Sequence, residues 1–99
     1  MVPEHGFEDE FAFFEAAADD PAIYETFRQW ITRIAEEEVD RIADGSIQRF
    51  VLVAAAMQPF DRAFKAYQKR EAVVPRAYPF SEYFRWWARQ HALMRQHEG

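Results

Sequence analysis

The sequence predicts an all-α fold: a compact bundle of four to five helices forming one domain across residues 1–99. Three observations carry this. Only three glycines and five prolines punctuate the chain, and good helix formers fill the space between them. No strand-like alternation lasts more than a few residues, and no internal repeat is visible. Hydrophobic residues make up 49% and aromatics 17%, enough apolar surface to build a core and to exclude global disorder.

The first helix is expected over 8–18, with Phe11, Phe14 and Ala18 on one side and Phe7 and Phe13 flanking. Asp19-Asp20-Pro21 then reads as a helix start, because Asp20 can accept from free N–H groups and Pro21 suits the first helical position. In the second helix Ile23, Phe27, Trp30, Ile31, Ile34 and Ile42 recur at helical spacing, while Glu36, Glu37, Glu38 and Asp40 form a solvated stretch. Gly45 is expected to end it as C-cap, and Ser46 to cap the next helix. That third helix, from Ile47, is apolar almost all round, which predicts a central, buried element. Pro59 breaks it near Met57. A fourth helix places Phe60, Ala63, Phe64 and Tyr67 on one face and Arg62, Lys65, Lys69 and Arg70 outside. Residues 72–79, with two prolines, read as a loop, and the last helix runs from Ser81 as N-cap to about His97.

Several classes are excluded or disfavoured. The longest apolar run, 50–57, is eight residues, far short of a bilayer span, so no membrane partner is expected. The start of the chain lacks the basic and apolar blocks of a signal peptide, and residues 1–6 read as a flexible tail. With no cysteine there is no disulfide framework, and a cytoplasmic location is the default expectation. His5, His91 and His97 show no compact metal-ligand spacing, no glycine-rich phosphate loop exists, and Ser46 and Ser81 lack a nucleophile's context. The sequence therefore predicts a non-enzyme with no cofactor and no metal.

Charge is unevenly distributed. Residues 1–45 hold thirteen acidic and three basic side chains, a net −10, whereas 46–99 hold four acidic and nine basic ones, a net +5. Such a split fits either a basic face for a polyanion or two halves that pair with each other. In the last helix, Tyr83, Phe84, Trp87, His91 and Met94 cluster within one arc, predicting an apolar back. Adjacent helical residues diverge, so Trp87 is the packing residue and Trp86 the exposed one, sharing a second stripe with Gln90 and Leu93.

The run Tyr78-Pro79-Phe80-Ser81-Glu82-Tyr83-Phe84-Arg85-Trp86-Trp87-Ala88-Arg89-Gln90 resembles the promoter-melting segment in the second conserved region of bacterial RNA polymerase sigma factors. That family's motif is in essence Tyr-x-Phe-Ser-x-Tyr-x-x-Trp-Trp-x-Arg-Gln, and Tyr78, Phe80, Ser81, Tyr83, Trp86, Trp87, Arg89 and Gln90 stand where it expects them. Upstream, Arg62-Ala63-Phe64, Tyr67 and Arg70 are similar to the family's preceding basic helix. The resemblance spans roughly 47–95 and is strongest over 78–90. It implies a sigma-region-2-like bundle that binds minus-ten promoter or single-stranded DNA. By resemblance, Tyr83 stacks on a flipped base, Trp86 and Trp87 brace the edge of the melted bubble, Gln90 reads a base pair there, and Arg89 lies beside the backbone. Arg62, Lys65, Lys69, Arg70 and Arg85 complete the candidate DNA-binding set as phosphate partners.

The chain also departs from the family. Residues 50–59, plain apolar with Gln58 alone, do not supply the acidic, glutamine-containing helix by which sigma factors grip the polymerase core. Glu82, Pro79 and Leu93 stand where other residue types are usual, and 99 residues leave no room for a separate helix-turn-helix domain. Polymerase is thus a partner that the family implies and residues 50–59 do not provide for. The alternative reading is a non-catalytic protein-interaction domain: a decoy, an anti-sigma-type regulator or a homodimer that keeps the fold without binding DNA.

Overall fold

The structure, a computed structural model, describes residues 6–73 and 79–98, without the side chains of 70–73. Five helices follow one another: α1 (Glu10–Asp19), α2 (Pro21–Ile42), α3 (Arg49–Met57), α4 (Phe60–Val73) and α5 (Phe80–Glu98). The expected all-α bundle is what forms. Among the described residues no helix is long and apolar enough to cross a membrane. The expected tail at 1–6, apart from Gly6, the centre of the loop at 74–78, and the motif residue Tyr78 lie outside the described residues, as does the Arg70 side chain.

Local chemistry sets the first two helices. Asp9 caps α1, its carboxylate accepting from the Ala12 N–H at 2.9 Å. Asp20 does the same for α2 through Ala22 at 2.9 Å, with Pro21 at the first helical position as expected. α1 buries Phe13, Phe14 and Ala17, one step round from the expected Phe11 and Ala18. The reason is that α1 wedges into a corner: Phe13 meets Phe27 edge-on at 4.9 Å, while Phe14 stacks on Phe64 at 4.3 Å and reaches Phe80 at 5.5 Å. Rings from α1, α2, α4 and α5 thus close one aromatic core, with Phe13, Phe27, Phe60, Phe80 and Phe84 all but fully buried. α5 lies at the centre of the bundle, in contact with every other helix.

Three capping expectations fail, and at two of them, the end of α2 and the start of α5, the partner arrives from across the fold. α2 ends at Ile42, not at Gly45, because the buried Gln96 of α5 donates to the Ile42 carbonyl at 3.1 Å and accepts from the Asp44 N–H at 3.2 Å. Gly45 instead turns the chain at φ +88°, two residues beyond the cap. Ser46 does not cap α3; its N–H and hydroxyl both donate to Asp44, at 2.9 and 2.6 Å, and Gln48 holds the cap position without a side-chain bond. Ser81 does not cap α5 either. Its N–H and hydroxyl donate to the Glu10 carboxylate, each at 2.6 Å, so that α1 supplies the negative group at the α5 N-terminus.

Burial pushes the Glu10 carboxyl above its ordinary value, against the lowering effect of the bonds from Ser81. A carboxyl raised in the folded chain binds its proton more readily there than in the unfolded chain. Its contribution to stability is therefore complete below the ordinary value of 4.5 and is lost as pH rises through the raised folded value. Glu10→Gln keeps an acceptor for the Ser81 N–H but cannot titrate. Urea unfolding from about pH 4 to about pH 8 is expected to show the variant gaining stability relative to the parent as pH rises. A constant difference contradicts this assignment.

α3 is the largest departure. Leu52, Ala56 and Met57 are buried, but Phe50 is 70% exposed and Ala54 is exposed, so the helix lies on the outside of the bundle. Composition all round a helix does not say how many neighbours it has, and α3 packs on α2 and α5 from one side. It ends at Met57, ahead of Pro59, as expected.

Candidate nucleic-acid interface

Two helices of the C-terminal half, α4 and the solvent-facing side of α5, present the predicted residues. On α4, Phe60, Ala63, Phe64 and Tyr67 are buried, which leaves Arg62, Lys65 and Lys69 exposed. Their spacing of three and four residues puts these cations in one stripe. None of the three makes an ion pair among the described residues. Asp61, which sits beside the stripe, accepts from the Tyr24 hydroxyl, and burial together with that carboxylate pushes the Tyr24 phenol above its ordinary range.

α5 is oriented one row away from expectation. Its buried spine is Phe80, Phe84, Ala88, Ala92 and Gln96, at every fourth residue. Tyr83, Trp87 and His91, expected at the back, form the half-buried neighbouring row, and Met94 is 53% exposed. The alanines explain the rotation: small side chains at 88 and 92 let α2 and α3 approach α5 closely there, which turns the bulkier row toward α4. The predicted inequality of the tryptophans holds. Trp87 packs against the core, while Trp86 is 57% exposed and meets Trp87 edge-on at 4.9 Å.

Beside α4 the half-buried row becomes a run of rings. Tyr67 lies 5.7 Å from Tyr83, Tyr83 6.5 Å from Trp87, and Trp87 6.2 Å from His91. A groove between the two helices is lined by Pro59, Arg62, Ala66, Tyr83, Trp87 and His91. Gln90 is half-buried beyond Trp87, and Arg89 is exposed on the far side of Trp86. The surface thus places aromatic rings between Arg62, Lys65 and Lys69 on one edge and Arg89 on the other. Glu82 is an exposed acid on the same outer side of α5.

One predicted member does not join it. Arg85 reaches back to α2, donating to Glu38 at 3.1 Å and to Glu37 at 3.4 Å. Glu38, expected in a solvated run, is only 5% exposed and also accepts from Arg41 at 3.1 Å. The bulk of α5 shields it, and two guanidinium groups compensate its charge. Arg49 likewise grips Asp40 at 2.7 and 3.1 Å, holding that carboxyl below its ordinary range. The basic residues of the C-terminal half thus divide: Arg49 and Arg85 pair with α2, whereas Arg62, Lys65, Lys69 and Arg89 face solvent. Arg85→Ala is accordingly expected to cost about 1–3 kcal/mol of stability by leaving Glu38 short of a partner. Chemical denaturation of the variant checks this, and full stability with lost polyanion binding contradicts it.

No family model, no curated protein and no solved structure matches this chain.

Proposed function

We propose that this protein is a sigma-factor-like module that binds single-stranded or melted minus-ten promoter DNA across the α4–α5 face. The observation that carries the reading is Trp86, a large indole held exposed against Trp87 with the exposed cations Arg62, Lys65, Lys69 and Arg89 on either side. Unstacked bases gain about 1–3 kcal/mol each on aromatic platforms, and phosphates pair with Arg and Lys. Trp86 offers the platform, Tyr83 and Trp87 the ring-lined groove behind it, and Arg62, Lys65, Lys69 and Arg89 the cations. Gln90, beside Trp86, carries a side-chain amide able to meet a base edge. The resemblance over 78–90 supports the same surface.

The acidic half is compatible with this use because Glu37 and Glu38 engage α5 through Arg85 and leave Trp86 and Arg89 exposed. A fluorescence-anisotropy titration with labelled single strands at several salt concentrations tests the reading. Affinity should fall with salt, and the combined Arg62→Ala, Lys65→Ala variant should lower the slope of log K against log salt by about 1.4, or about 0.7 per lost phosphate contact. Glu82→Gln should bind more tightly than the parent, since it removes a like charge from the face. Binding that ignores salt and both variants contradicts the proposal.

A further inference from the structure

Asp61 stands at the head of the cation stripe on α4, and what holds it decides how many of those cations a phosphate can use. Around the helix Asp61 comes first on the α2 side, then Lys65, then Lys69 and Arg62. Lys65 follows Asp61 by four residues, the spacing at which a carboxylate N-terminal to a lysine forms an ion pair along a helix. No such pair is made among the described residues. The exposed Asp61 carboxylate accepts instead from the Tyr24 hydroxyl of α2. Packing fixes the donor: the Tyr24 ring meets Phe64 at 5.0 Å and Phe60 at 5.7 Å, both on α4. Burial and the Asp61 carboxylate push the phenol above its ordinary range, so the hydroxyl keeps its proton and stays a donor.

We propose that Tyr24 is a positioning residue for the nucleic-acid surface: by holding the Asp61 carboxylate on α2, it keeps Lys65 available for a phosphate. The inference rests on the α4–α5 reading above and adds to it a control exerted from the acidic half of the chain. Without the hydroxyl, Asp61 turns along α4 to Lys65, and a phosphate must then compete with a neighbouring carboxylate for the same ammonium group.

Tyr24→Phe is the direct test, because it keeps the packed ring and removes one oxygen. Single-strand binding by the folded variant, followed by fluorescence anisotropy at low salt, should weaken about twofold, the competition expected of an exposed pair four residues apart. Asp61→Asn removes the competitor, so Tyr24→Phe combined with Asp61→Asn should bind as Asp61→Asn alone does. A loss that persists in the Asp61→Asn background comes from packing and overturns the proposal. Lysine labelling reads the same competition without nucleic acid. Lys65 and Lys69 are the two lysines of the chain, so limited acetylation of the full chain, resolved by mass spectrometry, follows Lys65 with Lys69 as internal reference. The ratio of Lys65 to Lys69 labelling should fall about twofold in Tyr24→Phe and return to the Asp61→Asn value in the double variant. An unchanged ratio in Tyr24→Phe overturns the proposal. A parent that binds no single strand while the ratio shifts in this way supports the hold of Tyr24 on Asp61 and contradicts the DNA reading.

Discussion

Phe80→Ala is expected to remove about 3–5 kcal/mol of stability, a large part of the margin on which a domain of this size folds. The melting temperature should drop by at least about 12 °C. Phe80 is 1% exposed and lies at the junction of the bundle, with Phe14 of α1, Phe27 of α2, Phe60 and Tyr67 of α4 and Phe84 of its own helix within 5.8 Å between ring centres. Truncation forfeits these contacts and leaves a cavity that five surrounding rings cannot close without losing their own packing. Phe50→Ala is the matched control. It removes the same atoms from a side chain that is 70% exposed, and should change monomer stability by no more than about 0.5 kcal/mol. Urea unfolding followed by circular dichroism separates the two. Equal losses would place the core elsewhere.

Trp86→Ala is expected to do the reverse: leave folding nearly unchanged and weaken single-strand binding about 5- to 150-fold, the equivalent of about 1–3 kcal/mol. The separation follows from geometry. Trp86 touches the fold edge-on through Trp87 and exposes most of its remaining surface, whereas Trp87 packs against the core. Trp87→Ala should therefore lower both stability and affinity, and Arg85→Ala stability alone. Melting curves and binding isotherms on the three variants give each a different signature. If Trp86→Ala binds as the parent does, the indole is not the platform.

How far the sequence reveals this arrangement depends on where each determinant lies. Asp20-Pro21 acts on its own next turn, and Phe60, Ala63, Phe64 and Tyr67 share a face by periodicity alone, so both were legible. Glu10 at the start of α5 and Gln96 at the end of α2 act across 71 and 54 residues of chain and leave no local signature. The inequality of Trp86 and Trp87 was legible because neighbours on a helix must diverge. The burial of Ala88 and Ala92 was not, because Tyr83, Trp87 and His91 form an equally plausible inward row until the approach of α2 and α3 is known. Glu38 sits in an acidic run whose composition argues for solvent, and only the reach of Arg85 from α5 makes its burial tolerable. For the candidate site, residue types were legible and their division was not: Arg62, Lys65, Lys69 and Arg89 face outward, while Arg85 serves the fold.

The central claim is that an exposed indole, held by its partner tryptophan between cations, stacks on unpaired bases. Steady-state tryptophan fluorescence of the folded parent, titrated at low salt with single-stranded minus-ten oligonucleotides, tests it most directly when the same titration is run on Trp86→Phe. Trp30 and Trp87 remain in both proteins and supply the background. The account predicts saturable quenching in the parent that is largely lost in Trp86→Phe and that weakens as salt rises. Unchanged emission in a folded parent, or equal quenching in the two proteins, contradicts it.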